Sequence, residues 1–128
     1  MRVAKENVRV NMEVPGVVMR LEPGFGDATG FGKISGEYFS LAAGVDTTEL
    51  FEGLDGNLCQ CPHWGFVVRG SITTTDGNGT EETVNANDLF HWPPGHKLRV
   101  DADADIVMFS PVSEHVQVID HVKRKLGV

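Results

Sequence analysis

Turn signals interrupt this chain so often before residue 113 that they leave room only for short extended segments. Pro15-Gly16, the glycines between Pro23 and Gly36, Gly53 to Gly56, Asp76-Gly-Asn-Gly79, Asn85 to Asp88 and Pro93-Pro94-Gly95 fall between apolar runs of strand length. Gly, Pro and Asn supply the backbone conformations that tight turns need. Strands are therefore expected at Val8–Val10, Val17–Met19, Glu37–Ala43, His63–Arg69, Ser71–Thr75, Thr80–Val84, Leu89–Trp92, His96–Val100 and Ile106–Ser110. The acidic run Asp101 to Asp105 is expected to be a solvated turn joining the last two, and residues 23 to 36 a surface loop. Asp46 opens a short helical turn through Leu50 and Phe51. The one long helix expected is about 113–126, with Ser113 as N-cap, Val116, Ile119, Val122 and Leu126 as its apolar stripe, and Gly127 as its stop. Short strands, tight turns and one terminal helix make an all-β barrel or sandwich.

The 128 residues suit a single domain, 1–128, with its own core. A net charge of −7 argues against a nucleic-acid partner, which needs a clustered basic face. The basic cluster Lys123-Arg-Lys125 is read as favourable charge at a helix C-terminus. No apolar run approaches the roughly 20 residues of a membrane-spanning helix. The N-terminus carries no apolar signal core. The expectation is a cytoplasmic protein with no membrane partner, whose two cysteines are free thiols or ligands.

Chemistry concentrates in Cys59-Gln-Cys-Pro-His63. Two thiols and an imidazole stand at alternate positions, directly before the apolar run Phe66-Val-Val68. Alternate residues of a strand share a face. Thiolate and imidazole suit a transition metal. Cys59 and His63 lie too far apart on an ideal strand to share an ion unless the segment bends at Pro62. Two other readings stand beside the metal. The cysteines serve as small buried hydrophobes, or they form a redox pair. Trp64, Phe66, Phe90 and Trp92 are read first as core or as a dimer face. His115 and His121 are read as solvated, and Arg69 and Arg99 as surface charge. The carboxylates show no acid–base pair.

The motif strands resemble the cupin superfamily, over about residues 37–110. Its first motif is His-x-His, three or four residues, Glu, six residues, Gly; its second is Gly, five residues, Pro-x-Gly, two residues, His. Anchored on Gly70, the first motif puts His63 in the glutamate's place, Cys59 in the second histidine's and Asn57 in the first's. Anchored on Pro93-Pro94-Gly95, the second has Asn87 for its leading glycine and Leu98 for its histidine, with His96 two residues earlier. The resemblance implies a jelly-roll barrel (a double-stranded β-helix) with a C-terminal helix, as a homodimer. It implies a small-molecule pocket lined by Cys59, Cys61, His63, His96, Trp92 and Phe66. Ligands from His63, His96, Cys59 and Cys61 would hold one divalent transition metal, zinc, iron, nickel or manganese. The implied activity is that of an oxygenase, isomerase or lyase on a small organic substrate. The alternative is a metal-free module that binds a ligand or a partner protein.

Overall fold

The structure, a computed structural model, describes residues 1–28 and 30–128; Thr29, within the stretch expected to be a loop at 23–36, lies outside the described residues. The strands are β1 (Val10–Val14), β2 (Val17–Glu22), β3 (Asp27–Ala28), β4 (Gly32–Leu41), β5 (His63–Asp76), β6 (Glu81–Asn85), β7 (Leu89–Trp92) and β8 (His96–Pro111). Pairing is antiparallel in the order β1-β2-β4-β8-β5-β6, with β3 on β4 and β7 on β5. Helix α1 (Val112–Leu126) follows β8 directly. No described helix is long and apolar enough to cross a membrane.

Alternation decides what faces the core. On β4 the buried residues are Ser35, Glu37, Phe39 and Leu41, and on β8 they are His96, Val100, Ala104, Ile106, Met108 and Ser110; the β4 row faces the last four of these. The two rows lie side by side, Ser35 opposite Ser110, Glu37 opposite Met108 and Phe39 opposite Ile106. Met19 and Leu21 of β2 and Phe90 and Trp92 of β7 complete the inner wall. Each fully buried side chain such as Ile106 stabilises the fold by about 1.5–3 kcal/mol relative to exposure.

β5 and β8 pair along most of their length, and the register shifts repeatedly between Val67 and Ile72. Gly70 sits in this irregularity with φ +85°, and a Cβ there would lie 2.1 Å from the Asp103 carbonyl oxygen. The bend also switches phase: His63 and Val67 face inward before it, Ile72 and Thr74 after it.

Three sequence expectations change here. Asp101 to Asp105 is no turn, because β8 runs unbroken from His96 to Pro111. Its three acids alternate with alanines and so share the outer face. Asp101 accepts from Thr73 and Arg99, Asp103 from the Ala43 N–H, and Asp105 from Ser40 and Arg69. The intervening Ala104 is fully buried. Nor is all of 23–36 loop: β3 pairs with Gly32–Lys33, so β4 starts five residues before the expected Glu37. Helix α1 begins at Val112 with Pro111 as N-cap, while the Ser113 hydroxyl donates to Glu114 instead of capping. Its C-terminus closes on left-handed Gly127 as expected. The inward stripe is His115, Val118, Ile119 and Val122, whereas Val116 and Leu126 are partly exposed.

Candidate metal and ligand site

β5 begins only at His63, so Cys59 to Pro62 is irregular chain and not strand. That removes the spacing problem. Cys59 pairs instead with the start of β8: its N–H donates to the His96 carbonyl at 2.8 Å, and its own carbonyl accepts from Gly95 at 2.7 Å and His96 at 3.2 Å. The pairing sets the Cys59 and His96 side chains together, and the turn at Pro62 brings His63 beside them. Cys59 Sγ lies 3.6 Å from His63 Nε2. The His63 and His96 rings meet edge to face at 5.3 Å. Donor atoms of Cys59, His63 and His96 all fall within 4.8 Å of one another, and all three residues are buried.

Hydrogen bonding settles which ring nitrogens face this cluster. His96 Nδ1 lies 2.7 Å from the Pro93 carbonyl, which can only accept, so Nδ1 carries the proton. Ser110 Oγ donates its single proton to Glu37 Oε1 at 2.8 Å. Its 2.6 Å contact with His63 Nδ1 must therefore run from the imidazole N–H to the serine oxygen. Both histidines are left with a bare Nε2 lone pair. Burial, and then the neighbouring His115 and His96, holds the His63 pKa well below the ordinary imidazole value. Burial also lowers that of His96, against the opposing pull of the Pro93 carbonyl. Burial raises the Cys59 thiol to about 11, an effect to which the Glu37 charge adds. Two neutral imidazoles and a thiol that ionises only beside a compensating cation make a donor set suited to a soft or borderline transition metal. A bound histidine whose other nitrogen is pinned by a hydrogen bond is the usual arrangement in metal sites.

Behind His63 lies a polar network that sequence reasoning missed. The Glu37 carboxylate accepts from Ser110 and from Ser35, the latter at 2.9 Å, and contacts His115 Nδ1 at 2.5 Å. Glu37 is 1% exposed and His115 4%. Helix α1 thus carries a buried histidine where a solvated one was expected. The signal is in the sequence: His115, Val118, Ile119 and Val122 follow the i, i+3, i+4, i+7 stripe as well as Val116, Ile119, Val122 and Leu126 follow helical spacing. Glu37 was visible too, at alternate spacing with Phe39 and Leu41 on an otherwise apolar face.

The cluster opens into a cavity of about 680 Å³ between the strands and α1. Cys59, His63, His96, His115 and Trp92 line it, with Leu98 in the wall. The Trp92 indole is 1% exposed, and its Nε1–H has no acceptor among the described residues, an omission that costs about 1–3 kcal/mol. Cys61 is fully buried outside the cluster, its Sγ 3.4 Å from the Pro62 carbonyl and 4.0 Å from that of Pro111. Burial raises its thiol pKa as well. Phe66 is half-buried on the outer face, opposite Leu89 and Val107. Trp64 is 47% exposed there and stacks on His91, which also faces outward. Asn57 is exposed, and its Oδ1 accepts from the Gly53 N–H. Arg69 pairs with Asp105 and Arg99 with Glu81 and Asp101, all at the surface.

No family model matches the sequence, and no curated protein does. Solved structures do resemble it. An RmlC-like cupin from Shewanella frigidimarina is 17% identical, with 89% of this chain and 93% of that one aligned at a TM-score of 0.58. The polyketide cyclase RemF of Streptomyces resistomycificus is 17% identical over 88% of this chain and 79% of its own, at 0.57. Oxalate decarboxylase of Lactobacillus farciminis, solved as a formate complex, is 16% identical over 84% of this chain, at 0.56. The present chain spans only 31% of that enzyme's length. At such identities the likeness is one of fold, and the fold is that of a small cupin barrel.

Proposed function

We infer that Cys59, His63 and His96 hold one divalent transition metal at the inner end of the cavity, and that the protein is a metal-dependent enzyme acting on a small organic molecule. The carrying observation is the convergence of the Cys59 thiol with the two bare Nε2 lone pairs, each fixed by a hydrogen bond on the far side of its ring. A three-residue set leaves a coordination position open, as catalytic sites do. A metal so held supplies Lewis acidity to a bound substrate oxygen. That enzymes such as a decarboxylase and a cyclase share the fold supports the reading without fixing the reaction.

The chain's own residues divide the remaining work. Ser110 and Glu37 orient His63. Glu37 also holds His115 by Nδ1, which leaves His115 Nε2 free to give or take a proton in the cavity. The apolar wall keeps water from the reacting atoms.

Protein purified without chelator should carry about one transition metal per chain by elemental analysis, and His63→Ala should lose most of it. Metal-free protein that also gains no thermal stability from added zinc, iron, nickel or manganese would sink this reading in favour of a metal-free binding module.

A homodimer through the outer face of β5, β7 and β8 accompanies this reading. Leu89 is 83% exposed, Val68 51%, Trp64 47% and Phe109 40%, and they lie on adjoining strands. An apolar patch of this kind is favourably covered by a second copy. Sedimentation velocity should show a dimer that Leu89→Asp converts to monomer; a monomeric parent protein refutes it.

A further inference from the structure

We propose that the cavity takes an uncharged, largely apolar molecule. The inference rests on the reading of this cavity as the substrate site and names the substrate's class.

Two observations converge. First, no Lys or Arg lines the cavity among the described residues, and its two carboxylates, Asp46 and Glu49, are exposed positions of the turn beside its mouth. An anion entering would meet like charge and find no cation inside. Second, the wall is mostly aliphatic and includes Met12, Met19 and Met108, three of the four methionines in the chain. Unbranched thioethers adapt to the shape of an apolar guest. About 680 Å³ is enough for a molecule of two or three fused rings or an equivalent chain.

The test uses two fluorescent probes of similar size: the neutral ketone 6-propionyl-2-dimethylaminonaphthalene and the anionic 8-anilinonaphthalene-1-sulfonate. Each is titrated into the protein as purified and after chelator treatment. The ketone should bind once per chain with a blue shift, at least tenfold more tightly than the sulfonate in both preparations. Glu49→Lys, beside the cavity, should tighten the sulfonate severalfold. Leu89→Asp, on the outer patch, should change neither. Equal or tighter sulfonate binding by the parent protein overturns the proposal, as does ketone binding that Leu89→Asp abolishes or sulfonate binding that Glu49→Lys leaves unchanged. The two readings fail separately. Metal-free protein with the expected probe preference removes only the metal, and metal-loaded protein that prefers the sulfonate removes only this ligand class.

Discussion

Gly70→Ala should cost about 3 kcal/mol or more of unfolding free energy, among the largest effects of any single methyl in the chain. Two independent penalties combine. The residue has φ +85°, a conformation that costs an L-residue about 1–2 kcal/mol. The added carbon would also sit 2.1 Å from the Asp103 carbonyl oxygen and 2.7 Å from Ala104 Cα, both backbone atoms that no rotamer change can move. Gly79→Ala separates the two. Gly79 has φ +80° with open space around it, so it should lose only the conformational part, about 1–2 kcal/mol. Urea denaturation of both variants measures the difference, and equal midpoints would show that the β5–β8 crossing yields freely.

Glu37→Ala is expected to be as damaging for another reason. It removes the acceptor for Ser35, Ser110 and His115 at once, inside a site that water does not reach. Breaking a buried polar pair typically costs about 3–5 kcal/mol. Glu37→Gln keeps the volume and one acceptor oxygen and should cost about 1–3 kcal/mol. Glu37→Ala frees Ser110 to rotate, and Glu37→Gln offers it an amide that can donate as well as accept, so in both variants His63 can choose its tautomer. Metal affinity, measured by competition with a chromophoric chelator, should therefore fall about 10–100-fold even in the folded Gln variant. A Gln variant with parental affinity would detach the network from the cluster.

The fold was largely legible because local signals agreed. Asp76-Gly-Asn-Gly79 marks the β5–β6 hairpin, where Asp76 accepts from the Asn78 and Thr80 N–H groups. Pro93-Pro94-Gly95 stops β7, and Gly70 anchors the crossing of the two long strands. The error at the acidic run has a physical source. Alternating Asp and Ala across 101–105 carries the strand period, but three acids in five residues look like solvent-exposed turn. Their neutralisation by Ser40, Arg69, Thr73 and Arg99 depends on neighbours remote in sequence.

The site divided in the same way. Cys59 and His63 stand at motif positions, and His96 lies two residues before the one that Leu98 holds; Cys61, expected with them, is outside the cluster. Glu37, Ser110 and His115 lie on three different elements and meet only after the barrel closes. A phase error of one residue on α1 was enough to turn His115 outward.

The unbroken run from β8 into α1 carries His96 at one end, Ser110 near the other and His115 one turn into the helix. Because β8 alternates inward and outward, a single inserted residue between Lys97 and Phe109 would turn Ile106, Met108 and Ser110 outward or move them out of step with His96. The helix stripe would rotate with them. This segment should therefore tolerate substitution far better than any change in length. Insertions and deletions among relatives of similar site chemistry should fall instead in the exposed tip at Gly77–Gly79, where added residues displace nothing from the cavity.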